Sequence, residues 1–561
     1  MSNIHGSHAA LSSRLTADRR RGALRMSTIL GGGLLALAGL TATPAAAQDE
    51  CGAAPIGGGT VTCTPAGNDY PNGVFYLTFA DPLTVILEDG VNIDTSGGLN
   101  PGILLFGLGD ASFDLQGMGA SITTDADGGF GILAASDLGD INLEIGSVTT
   151  TGANAIGIIG SSAEGDITVD AGTVSTSGDG ADGIQGTTNL GDISIDAFTV
   201  QTTGAGSNGV FADSDNGDIR AVVSTVITEG DGSTGISADT TFGDIAIGDG
   251  GDAIVTSGIG SDAINARTAV GDIAVNVFQA QTTGAGSDAI EVNSTSGAVT
   301  VNATAVTADG DGSRGIVASG ESVAVTQSGF FIGTGGDNAN AIQVRARNGD
   351  ASVSTGNAFT GGDNSAVIDI TSQAGAVTVS AGSLTTSGDN SVGVRAASGT
   401  AGNILFGIPA APGGTVDITA ASVRTSGANS TGIVTNALFG ADTRISANEV
   451  LTEGDGASGV VATSALGGDI DITAGRITTA GLGSDGIQAI NTGPGLITVN
   501  TTGVIASAQG TGIRLDSGST ANLTVGAGSS VNGALGGVNI LSVDGATVAN
   551  AGTIGSTGGL A

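Results

Sequence analysis

One spacing constrains this chain more than any other feature. Residues 191–216 read "GDISIDAFTVQTTGAGSNGVFADSDN" and the next 26 read "GDIRAVVSTVITEGDGSTGISADTTF". The two blocks share few identities, yet both open Gly-Asp-Ile. Each then has a Val nine positions after that Gly, a Thr, a Gly-rich turn, and Gly-Val or Gly-Ile. The last landmark, with Ala or Val tolerated before the Ile, recurs from Ile132 through Ile158, Ile184 and Val210 to Ile513. Its steps are mostly 26, with one of 28, one of 39 and two of 27. At Ile368 the preceding residue is Val367, and the beat holds. A fixed period of this size is the mark of a solenoid, in which each repeat buries its inner face against its neighbours.

Within a repeat the period is two. Ile193 and Ile195 alternate with polar residues in "DISIDA", and "FTVQTTG" and "NGVFADS" supply two more short strands between Gly and Asn/Asp turns. Glycine and β-branched residues dominate, which disfavours helix. The predicted fold is therefore all-β. It is a β-helix (β-solenoid) of about 18 coils, with three short strands per roughly 26-residue coil. Ile141, Ile167, Ile193, Ile219 and Ile245 fall in one column and Val148, Val174, Val200 and Val226 in another. Both are expected to form inward aliphatic ladders.

Composition excludes the other classes that 101 glycines could signal. No glycine recurs at every third residue, so the chain is not collagen-like, and 40% hydrophobic content argues against disorder. Residues 1–47 read as a signal peptide. Arg19, Arg20, Arg21 and Arg25 precede an apolar run, and "ATPAAAQDE" places cleavage between Ala47 and Gln48. Cleavage would remove both histidines, His5 and His8, and leave ten arginines against 52 acids, a net charge of −42. Such a surface repels nucleic acid. Cys51 and Cys63, the only cysteines, are expected to close one small disulfide loop in an exported protein. Residues 48–81 are expected to form a disulfide-bearing head or cap. Residues 82–561 form the β-helix, with an insertion near 401–414 inside the 39-residue step. The insertion's Leu405, Phe406 and Ile408 are expected either to fold back on the rod, the favoured account, or to meet a partner, with the ladder resuming at Val416 and Ile418.

The order of parts is signal peptide, "CGAAPIGGGTVTCTPAGNDYPNGVFY" head, then an acidic Gly/Thr/Asn-rich solenoid. It resembles the passenger region of autotransporters, proteins of the Gram-negative outer membrane. The resemblance implies export to the cell surface, the outer membrane or the medium, a structural or adhesive role, and a surface ligand. A membrane barrel would follow if the chain is a fragment. No barrel sequence is present, so no membrane-inserting or catalytic residue carries over.

Chemistry is sparse. Without histidine there is no Ser-His-Asp arrangement, and without lysine the strong bases of polysaccharide lyases reduce to a few arginines. Arg345 and Arg347 are expected to point outward and balance acidic rungs. Asp179, Asp231, Asp311 and Asp389 recur at one corner, where calcium could bind, but an Asx-type turn is the favoured account. The Thr150, Thr176, Thr202, Thr228 and Thr282 column reads as structural hydroxyls. The expectation is a non-enzymatic chain without cofactor, metal or catalytic residues; the alternative is a secreted carbohydrate-active β-helix, a lyase or hydrolase.

Overall fold

The computed structural model describes residues 51–53, 58–79, 81–248, 250–251, 253–399 and 413–558. The proposed signal peptide, its Ala47–Gln48 junction and all but the last two residues of the 401–414 insertion lie outside them.

The described chain is a parallel β-solenoid of about 19 turns with a spacing near 26 residues. The repeating unit is clearest in the coil that opens at Ile193. Strand Ile193–Thr202 runs ten residues, a glycine-rich turn follows, and Val210–Ser214 runs five. Ile193 pairs with Ile167 on one side and Ile219 on the other, and Val210 pairs with Ile184 and Ile236. Equivalent residues therefore stack, as the columns predicted. The rise of about 4.8 Å per coil gives a stack roughly 90 Å long.

The three straight runs expected per coil are present, but two of them join in one ten-residue strand whose pairing skips only Phe198. Along Ile193–Thr202 the buried residues are Ile193, Ile195, Ala197, Val200 and Thr202. Alternation slips once, because Phe198 and Thr199 both face outward. Two consecutive outward residues bend the strand into a second face, much as a bulge does. In the next coil but one the runs separate outright, into Ile245–Gly248 and Ala253–Thr256.

Two local rules fix the corners. The turn after the long strand needs a left-handed residue, and Gly180, Gly206, Gly232 and Gly260 supply it at φ of 64–69°. Asn154, Asn338, Asn364, Asn390 and Asn429 occupy the same place at φ of 54–56°. Glycine and asparagine are the residues that tolerate this region most cheaply. Two residues before Gly206, the chain passes so close to the coil before it that a Cβ on Gly204 would lie 1.9 Å from the Gly178 carbonyl oxygen.

The main core is one continuous column from Val61 to Val531, mostly Ile, Val, Leu and Ala, with Cys63, Tyr70, Tyr76 and Phe113 near the head. Parallel pairing already joins Gly59–Cys63 to Leu83–Leu87 and Val74–Phe79 to Ile103–Leu108, so the head is part of the stack. Tyr76 is buried, and its hydroxyl donates to the Gly52 carbonyl at 2.8 Å. After the insertion Val416 pairs with Val377 and Ile418 with Val379, so the ladder resumes in register.

Candidate functional site

Cys51 and Cys63 form a disulfide with Cα atoms 4.6 Å apart. Cys63 is buried and Cys51 packs on the core, which ties residues 51–53 to the first coil.

The acidic corners have a different structural role from the one expected. Asp179 Oδ1 accepts the backbone N–H of Ala205, and Asp231 Oδ1 that of Ile259. Asp311 and Asp389 likewise accept from Asp337 and Ala428. Each bond spans one coil, so the carboxylates cap the next rung and do not close an Asx turn within their own. The Gly-Asp of each repeat makes a second such column. The N–H of Asp192 donates to Asp166, that of Asp218 to Asp192 and that of Asp244 to Asp218, at 2.8–2.9 Å. Among the described residues no three His, Cys, Asp or Glu side chains are grouped to hold a metal ion.

The threonine column is inward. Thr176 Oγ1 donates to the Ala181 carbonyl at 2.6 Å, and Thr202 and Thr228 make the same bond to Ser207 and Ser233. A buried serine column runs beside it. Ser207 donates its N–H to Ser233 Oγ, and Ser233 its N–H to Ser261 Oγ, both at 3.0 Å. These bonds satisfy polar atoms that burial would otherwise leave costly. Of the arginine pair, Arg345 meets Asp369 at 2.8 Å, as expected of a charge balancer. Arg347 instead reaches two coils back to the Ser294 and Thr295 carbonyls.

The densest charge chemistry lies where the sequence drew no attention, on the outward side of the five-residue strands. Asp262 and Asp288 precede adjacent strands and are 7% and 5% exposed. Asp288 binds the Arg314 guanidinium at 2.5 Å, Glu291 binds Arg267 at 3.2 Å, and Asn265 donates to both Asp262 and Glu291. Burial, with the charges of Asp288 and Glu291 added, pushes the Asp262 carboxyl up to about 7 against the pull of its hydrogen bonds. Burial disfavours the charge on Arg314, but its hydrogen bonds and attraction to Asp288 outweigh this and raise its pKa. A carboxyl that titrates near neutrality can donate and accept a proton at physiological pH. Sequence spacing could have flagged the pairings. Arg267–Glu291 and Arg345–Asp369 are both 24 apart, one coil less two residues, which places partners diagonally on one face.

Compared with family models, curated proteins and solved structures, the chain matches none. Among the described residues no helix is long and apolar enough to cross a membrane, a statement that leaves β-barrels aside.

Proposed function

We propose that the chain is an exported, surface-exposed passenger of the autotransporter kind, with a structural and adhesive role. The observation that carries this reading is how the recurring polar columns are used. Asp, Thr and Ser at the corners bond backbone groups of their own or adjacent coils, which makes the repeat a rod-building device. The signal-like leader, the acidic surface and the disulfide fit an exported rod, since disulfides persist in oxidising compartments. Its partners would be a surface ligand and, if the chain continues, an outer-membrane barrel. Deleting the gene should abolish surface attachment and leave glycan degradation unchanged; unimpaired attachment would refute the adhesive role.

The Asp262 cluster favours one second reading, a carbohydrate-active solenoid. A raised carboxyl beside the carboxylates of Asp288 and Glu291 has the residue types of an acid–base pair acting on a glycosidic bond. Release of sugar ends from a polysaccharide panel, lost in Asp262→Asn and Glu291→Gln, would establish it.

A further inference from the structure

The second face of the rod, formed by the latter half of each ten-residue strand, carries a strip whose paired columns are uncharged. Two positions per coil belong to it, and all but the buried Gly333 face outward. The strip begins at Ser121 and Thr123 and ends at Ser383 and Thr385; pairing links the Thr123 column through eleven consecutive coils, and the Ser121 column except at Ala253/Gln279 and Phe331/Asn357. None of the paired outward residues is Asp, Glu, Arg or Lys, although in sequence Asp249 and Asp252 fall between Gly248 and Ala253 of the sixth coil. The other two faces differ. Glu144, Asp170 and Asp196 stack on the first, and Asp213, Asp239 and Arg267 on the third. Beyond the strip the same columns turn charged, with Arg424, Glu449 and Arg476.

Four phenylalanines crowd the far half of this strip. Phe278 and Phe330 meet edge to face with centroids 6.3 Å apart, and Phe331 and Phe359 lie 5.7 Å apart. Phe330 is 63% exposed, and Phe278 and Phe359 are each 42% exposed. A local change in the repeat delivers two of them. Strand Val323–Thr334 is twelve residues long where its neighbours are ten, and its register shifts on both sides of the added residues. The turn before it is shorter, because only Glu321 and Ser322 separate Ile316–Gly320 from Val323. The coil thus keeps its 26-residue period while Phe330 and Phe331 are pushed to the surface. The Phe359 ring lies on Gly333, where a Cβ would come within 2.2 Å of it.

We infer that this strip is the contact surface for a second copy of the same chain, two rods meeting side by side. The inference rests on the adhesive reading above and names a partner for it. Exposed aromatics in a charge-depleted setting are the composition of a protein interface core. Electrostatics selects the occupant. With a net charge of −38, two copies that meet on the first or third face set carboxylates against carboxylates. On the strip they do not, and Glu229 and Asp309, just past its edge, act as a rim. At about 4.8 Å per coil and 3.3 Å per residue the strip measures roughly 48 by 16 Å, or about 770 Å² per copy. A standard interface uses about 800 Å² per partner. The rim and the overall charge oppose contact until salt screens them, over about 8 Å at physiological ionic strength.

Sedimentation velocity of the full chain at 20 and 300 mM NaCl tests this. The expected result is a monomer at low salt and a dimer at high salt. Gln281→Glu with Thr307→Asp, which alters only outward side chains, should weaken the dimer at least tenfold, and Phe330→Ser with Phe359→Ser should do the same. Thr378→Asp, outward on the first face, should change nothing. A monomer at both salts up to about 100 μM, or a dimer indifferent to the strip variants, would overturn the inference. So would a monomer held on cellulose or chitin through the phenylalanines, which would assign the strip to a neutral glycan. Far-UV circular dichroism checks that each variant keeps its fold. Attachment lost on gene deletion, with a chain that stays monomeric, would sink the strip alone; a strip-dependent dimer in cells whose attachment survives deletion would sink the adhesive role alone.

Discussion

Asp192 Oδ1 accepts the N–H of Asp218 and donates no proton in return, while Asp166 does the same for Asp192. Two effects compete in such a column. A charged acceptor strengthens each hydrogen bond, but carboxylates one coil apart repel by about 0.9 kcal/mol per pair in water at low salt. Asp192→Asn keeps an acceptor and removes a charge. Its melting temperature should exceed that of the parent at low salt and converge with it near 1 M, where screening is complete. Inward residues behave otherwise. Ile193 is 1% exposed between Ile167 and Ile219. Ile193→Asp should cost on the order of 3 kcal/mol or more, read as a fall in urea midpoint. At Asp262 the folded chain holds its proton to about pH 7, whereas the ordinary value is 3.8. The folded state binds more protons between these values, so this group's stabilisation is full below about pH 4 and lost as pH rises to 7. Thermal melting from pH 4.5 to 7.5 should slope downward and flatten in Asp262→Asn. A slope unchanged in the variant would place the titration elsewhere.

At the scale of the strand and turn, the left-handed corner makes a graded test. Gly206→Asn copies what Asn154 and Asn338 already do in sister coils, so it should melt within a few degrees of the parent. Gly206→Val puts a branched side chain at φ +67° and should cost about 1–2 kcal/mol. The insertion is the other element-scale test. Since Val416 resumes opposite Val377, deleting residues 402–414 should leave the β signal intact. Collapse of the β-structure would show that part of the segment belongs to a rung. These elements were legible because a solenoid's spatial neighbours are its sequence equivalents, so a column in an alignment of the chain with itself is a column in space. The bend at Phe198 and Thr199 was less legible. Its signal is a single slip of alternation, and both residue types also occur in straight strands.

For the whole molecule, stability is held coil against coil, so the ends matter most. The Cys51–Cys63 bridge closes a loop at the first coil. Its removal in the double serine variant should cost on the order of 2–3 kcal/mol, seen as earlier loss of structure near the head in hydrogen exchange. Among the described residues, strands Gly545–Asn550 and Thr553–Ser556 pair on one side only; the first is exposed and the second mostly half-buried.

The sequence by itself determined the architecture, the register, the inward ladders and the place where the ladder restarts. Each of these depends on a repeat of fixed length, and periodicity is a one-dimensional property. It also pointed to the cysteine pair, through composition and spacing. Only the tertiary structure decided what the outward side chains do. Whether Asp179 bonds its own turn or the next coil, whether Asp262 lies buried beside Asp288 and Glu291, and whether the paired columns from Ser121 to Thr385 carry charge all depend on which face a residue occupies after each bend. That assignment is set by the closing of the coil in space, and a slip of one residue at a bend reverses it.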